Sequence, residues 1–257
     1  MAAACASSQP PRTPSGSPLP VVATTALMAD FVRNVGGDLV EVTALVPPGA
    51  EVHSFQSTPA DSVALSRAAL VVSNGGELDG FLDPLIQGSL SKDAVHVVAA
   101  APLLATGETD PHFWQNPIFT VVYVEGIRDG LIAADPENAA IYRANFESYK
   151  DALTKLDFDI ASTLDTVDPA RRQLITFHDA FGHFATRYGW KVNAFVAGDG
   201  GEVTPGRLVE ILEQVRDQGI PAVFAEPQFR ADVLDSEVTS YIDRMLFNAK
   251  SLARLLR

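Results

Sequence analysis

Residues 137–167 contain neither Gly nor Pro, and within them Tyr142, Phe146, Tyr149, Leu153, Leu156, Ile160 and Leu164 step by three or four. That spacing lines the seven side chains along one face of an α-helix. At 1.5 Å per residue the helix would be roughly 40 Å long, more than a crossover between neighbouring strands needs. The run therefore predicts a strut joining two bodies of chain, and every other element has to be placed on one side of it or the other.

Upstream of the strut, short apolar runs alternate with helical patterns. Val21–Thr24, Val40–Val46, Leu70–Ser73 and Val95–Ala99 read as strands. Leu27–Val35 reads as a helix stopped by Gly36-Gly37, and Thr58-Pro59 with Asp61 as a capped helix start. Ile118, Val121, Val122, Leu131 and Ile132 fall at helical spacing. Pro47-Pro48-Gly49 and Asn74-Gly75-Gly76 are loops.

Downstream the alternation resumes. Leu174–Phe177, Val192–Val196 and Ile220–Ala225 read as strands. Asp179–Tyr188, a segment opened by Thr204-Pro205, and Tyr241–Leu256 read as helices. Strands separated by helices imply a parallel sheet with crossovers. The expected fold is α/β: two lobes, each a parallel sheet with flanking helices, joined by one long rigid helix. The divisions are a flexible tether over 1–19, a first lobe over 20–135, the linking helix over 136–168 and a second lobe over 169–257.

Composition narrows the function. Of 257 residues, 19 are Lys or Arg and 32 are Asp or Glu, a formal net charge of −13. An acidic chain is not a nucleic-acid binder, because phosphate contact needs a basic surface. Cys5 is the one cysteine, which excludes an intrachain disulfide and a Cys-based zinc finger. No stretch approaches the roughly 18 to 20 apolar residues that span a bilayer. Ala2-Ala3-Ala4-Cys5, followed by a Ser/Pro/Gly-rich run to Pro20, resembles the end of a bacterial lipoprotein signal with a tether behind it. Cys5 is then the expected site of a lipid anchor; the alternative is a disordered cytoplasmic tail with an incidental cysteine. Ala2 stands where a larger aliphatic residue is usual, and the charged and apolar parts of a signal do not precede it.

The chemistry-bearing residues are histidines. His53 follows the Pro-Pro-Gly loop beyond a strand, His112 lies in Asp110-Pro111-His112 where a helix opens, and His178 directly follows a strand. Ligands of open α/β sheets bind outside the carboxyl ends of the strands, so all three occupy positions where function is expected. Three neutral imidazoles with one carboxylate suit a tetrahedral Zn²⁺. The spacing is also compatible with histidines scattered over unrelated loops. His96, inside the apolar run 94–101, is expected as a structural histidine. His183, five residues past His178, is expected on the surface or in packing. Gly198-Asp199-Gly200-Gly201 lacks the Lys-Ser/Thr of a P-loop, and there is no G-x-S-x-G or HExxH.

Four segments together resemble one family. Val46-Pro47-Pro48-Gly49-Ala50-Glu51-Val52-His53-Ser54-Phe55, then Asp110-Pro111-His112-Phe113-Trp114-Gln115-Asn116-Pro117, then Phe177-His178-Asp179-Ala180-Phe181-Gly182-His183-Phe184, and Phe224-Ala225-Glu226-Pro227-Gln228-Phe229 are similar, in order, to motifs of the zinc and manganese solute-binding proteins of ABC importers. The resemblance covers about residue 20 to the C-terminus. It implies a metal held in the cleft between the lobes by His53, His112 and His178, and a membrane permease as partner. A histidine at the third position resembles the zinc branch, since manganese members usually carry a carboxylate there.

Three departures stand out. Asn116 replaces the usual Asp, a change expected beside the ligands. No His-rich loop precedes Asp110. Only residues 230–240 separate Phe229 from Tyr241, where the family usually has a further helix and strand. The family's fourth ligand, an aspartate, follows that strand; Asp232 matches its local context best, with Asp235 as the alternative. The expectation is an extracytoplasmic, monomeric Zn²⁺-binding protein that is no enzyme. The alternatives are a manganese-binding homologue, a metal-dependent adhesin, or a zinc hydrolase if Asp232 leaves a coordination position to water.

Overall fold

The computed structural model describes residues 17–48, 55–176, 179–195 and 240–256, together with the helical positions 206, 209, 210, 213 and 216. The first sheet is parallel and four-stranded, in the order β2-β1-β3-β4, from β1 (Leu19–Thr25), β2 (Val40–Val46), β3 (Leu70–Ser73) and β4 (Val95–Val98). Its helices are α1 (Ala26–Gly36), α2 (Pro59–Arg67), α3 (Asp83–Ser89), α4 (Ala101–Leu104) and α5 (Pro117–Ala134). The expected strands are all present, with ends shifted by a residue or two. The short helices α3 and α4 fall where no periodic pattern is long enough to announce them; each opens with a proline in its first turn.

Strand alternation divides the core. Val21, Ala23, Leu70 and Val72 face the layer of α1 and α5, whereas Val22 and Val71 face Leu65 of α2 and Leu82 and Ile86 at α3. A sheet covered on both faces needs apolar residues at consecutive positions, which is why β3 is buried throughout. Gly130 lets α5 lie close to the sheet, since a Cβ there would come within 2.4 Å of Val97 Cγ2.

The strut is α6 (Ala139–Leu164), 26 residues and about 39 Å long. All seven side chains of the stripe are buried. Beyond it, β5 (Gln173–Thr176) and β6 (Lys191–Phe195) pair in parallel, with α7 (Gly182–Tyr188) between them. Helix α7 starts at Gly182 and closes at Gly189, whose φ of 69° is left-handed. The five described positions between 206 and 216 are helical and exposed, in the segment expected as a helix opened by Thr204-Pro205. The last helix, α8 (Tyr241–Leu256), packs on α6 and also touches α1. One apolar cluster runs from β1 and β3 through α6 to Leu174, Phe184 and α8, so the strut belongs to the core of both lobes. The strand expected over 220–225 lies outside the described residues.

Candidate metal centre

The loop carrying His112 is built on the C-terminal ends of β1 and β3. After β3 the chain turns through Gly75 and Gly76, with φ of 91° and 67°. The carboxylate of Asp79, only 1% exposed, organises this turn. It accepts from the backbone N–H of Asn74 (2.7 Å) and Gly75 (2.9 Å) and from Thr24 Oγ1 at the end of β1 (2.6 Å). Three donors around a buried carboxylate repay its desolvation. The Asn74 amide then donates to Pro111 O (3.2 Å), while Tyr123 OH donates to Asn74 Oδ1 (2.9 Å). Burial, followed by the charge of Asp79, pushes the Tyr123 hydroxyl up, so it stays a neutral donor. A chain of satisfied polar groups thus fixes Pro111 against the sheet.

His112 is 8% exposed and makes an edge contact with Trp114 at 5.2 Å. Its Nδ1 donates to Asp110 Oδ1 at 2.7 Å, and its backbone N–H donates to the same oxygen at 2.9 Å. Burial works against the Asp110 charge, but the two His112 hydrogen bonds, reinforced by the nearby imidazoles of His112 and His183, hold its carboxyl below the usual range. An imidazole whose Nδ1–H is committed to a carboxylate presents its lone pair at Nε2 and has its ring orientation set. This is the arrangement metal-binding histidines use.

The floor of the site is supplied by distant chain. Tyr241 OH, at the start of α8, donates to Trp114 O (2.6 Å) and accepts from Thr120 Oγ1 (3.0 Å). Asn116 accepts from Ile118 N–H at 3.0 Å, so it caps α5; its place in the structure is that of a helix cap.

His183 is buried rather than at the surface. Its Nε2 donates to Asp110 O at 3.0 Å, and its ring stacks on Phe113 with centroids 4.5 Å apart. His96 does meet a partner, sharing a hydrogen bond with Ser73 at 2.9 Å. The residue is nevertheless exposed, on β4, an edge strand among the described residues.

Of the sequence-predicted ligands, the structure describes His112. His53, His178, Asp232 and the alternative Asp235 lie outside the described residues; β2 ends at Val46 and β5 at Thr176, upstream of His53 and His178 in the chain. Among the described residues no three His, Cys, Asp or Glu side chains form a metal-holding group. The residues that spacing missed are Asp110, Asn74 and His183. Only Asp110, two positions before His112, had a local signal.

Residues 21–247 match the family described as "Zinc-uptake complex component A periplasmic". The chain belongs to this family. The manganese-binding lipoprotein MntA of Halalkalibacterium halodurans is 31% identical over 235 residues, spanning 88% of this chain and 77% of that protein. The iron-binding protein YfeA of Yersinia pestis is 29% identical over 218 residues, spanning 80% and 68%. The solved periplasmic zinc-binding protein TroA of Treponema pallidum has the same fold, with a TM-score of 0.83 at 24% identity over 94% of this chain and 99% of that one. As a member of the zinc-uptake component family, the chain is an extracytoplasmic substrate-binding protein of metal ABC transport and not an enzyme. No helix among the described residues is long and apolar enough to cross a membrane.

Proposed function

We propose that the cargo is Zn²⁺, held by His53, His112, His178 and Asp232 and handed to the membrane permease of an ABC importer. The observation that carries this reading is the His112–Asp110 pair: a buried imidazole with its tautomer set by a carboxylate, at the carboxyl end of a parallel sheet. Three imidazoles and one carboxylate favour zinc over the harder manganese ion. Four protein ligands would leave no position for a reactive water, as storage and transfer require. The proposal includes a monomer anchored through lipid at Cys5, with lobes over 20–135 and 169–257 and a linker over 136–168. Because the strut is buried in a core shared by both lobes, release is assigned to movement of the ligand loops.

Manganese is the second reading, favoured by a relative named for that metal. Zinc titration of chelator-stripped protein, with manganese as competitor, separates the two. Tight one-to-one zinc binding that survives excess manganese and is lost in His112→Ala supports zinc capture. Displacement by equimolar manganese would assign the site to manganese. Unchanged binding in Asp232→Ala would move the fourth ligand to Asp235.

A further inference from the structure

Building on the metal-capture reading, we propose that His183 is a positioning residue for His112, acting on it through Asp110 from the opposite lobe. Helix α7 belongs to the second lobe, and the Asp110–His112 loop to the first. His183 bridges them: its Nε2 donates to Asp110 O (3.0 Å) and lies 3.6 Å from Asp110 Oδ2. Its imidazole is clamped between the face of Phe113, at 4.5 Å and 20°, and the edge of Phe119, at 5.4 Å. At 9% exposed, it has little freedom to leave this position.

The approach is close by construction. A Cβ at Gly182 would come within 2.9 Å of Asp110 Oδ2, so the glycine beside His183 makes room for the carboxylate. Asp110 is therefore held at its carbonyl and at Oδ1, besides the bond its backbone N–H donates to Glu108 Oε1 at 3.2 Å. His183 fixes its carbonyl, and Oδ1 is occupied by the Nδ1–H and backbone N–H of His112. Asn74 holds the next carbonyl, Pro111 O, from the first lobe. The three-residue loop is thus pinned from both lobes, and among the described residues His183 supplies a second-lobe donor to Asp110. A phenyl ring at position 183 could stack on Phe113 but could not donate. Without the donor, the Asp110 carbonyl loses its second-lobe anchor, and the orientation that Asp110 imposes on the His112 ring loosens.

The test is zinc affinity of the intact, chelator-stripped chain, by competition with a chromophoric chelator, for wild type, His183→Phe, His183→Gln, Asp110→Asn and the His183→Phe/Asp110→Asn double variant. Glutamine places an amide donor at nearly the reach of imidazole Nε2. Loss of a group that orients a metal ligand costs about 10-fold or more in affinity, which is the fall expected for His183→Phe. His183→Gln should lie within about twofold of wild type, the scatter of independent effects. The double variant should bind no more weakly than Asp110→Asn alone, because both changes break one path. Wild-type affinity in His183→Phe, equal weakness in His183→Gln, or multiplying effects in the double variant would overturn the positioning role while leaving zinc capture intact. No zinc binding by wild type would instead overturn the capture reading and this role with it.

Discussion

Asp157 is the one carboxylate among the buried residues of α6, and it ties the strut to α7. It accepts from Arg187 Nε (2.8 Å) and Tyr188 OH (3.0 Å), with the second Arg187 nitrogen in contact as well. Asp157→Ala removes all of these at once. Tyr188 is buried, so stranding its hydroxyl costs about 1–3 kcal/mol. The Arg187 side chain is 42% exposed, so water replaces much of what it loses and the ion pair adds about 1 kcal/mol or less. The expected loss is about 2–3 kcal/mol, read as a lower urea midpoint with an unchanged slope. In a chain of this size, that corresponds to a melting temperature lower by roughly 4–12 °C. Asp157→Asn keeps an acceptor for Tyr188 and should lose about half as much. A loss below about 0.5 kcal/mol in Asp157→Ala would mean that α7 is held by its apolar face alone, and the reasoning from the carboxylate would be refuted.

Two further outcomes follow from other contacts. Burial, opposed by the Tyr241 backbone N–H and then by Arg244 and Arg33, raises the Asp30 carboxyl above its ordinary 3.8. A raised folded-state value means Asp30 favours the fold while protonated and loses that contribution as pH climbs through the shifted value. The stability of wild type relative to Asp30→Asn should therefore decline over that range in urea melts at stepped pH, and a flat difference would count against it. Gly182→Ala should push the Asp110 carboxylate off His112 and weaken zinc binding about 10-fold, measured by chelator competition; wild-type affinity would show that the carboxylate can give way.

The sequence carried the frame of the molecule because its signals there are local and periodic. The apolar stripe of α6 is readable from spacing, and all seven of its side chains are buried. The strands of the first sheet are readable because a doubly covered sheet requires consecutive apolar residues, as at Leu70–Ser73. Thr58 and Asp61 announced a helix start, and the capping box is there. The support of the His112 loop was not readable. The Asp110–His183 contact joins residues 73 positions apart, and the Tyr241–Trp114 hydrogen bond joins residues 127 apart; no local pattern encodes either. Asn116 also has a local use as a helix cap, which its place in the motif did not announce. His96 sits in an apolar run that predicts burial, yet it is exposed on β4, which lies at the end of the strand order, and strand order is not written in any local pattern.

The most direct measurement is zinc K-edge X-ray absorption of the one-to-one zinc-loaded protein. The account predicts three imidazole nitrogens and one carboxylate oxygen at about 2.0–2.2 Å, with no bound water, and one imidazole fewer in His112→Ala. A shell of oxygens alone, or an unchanged imidazole count in His112→Ala, would contradict the claim that His112 and its Asp110 support form part of the zinc site.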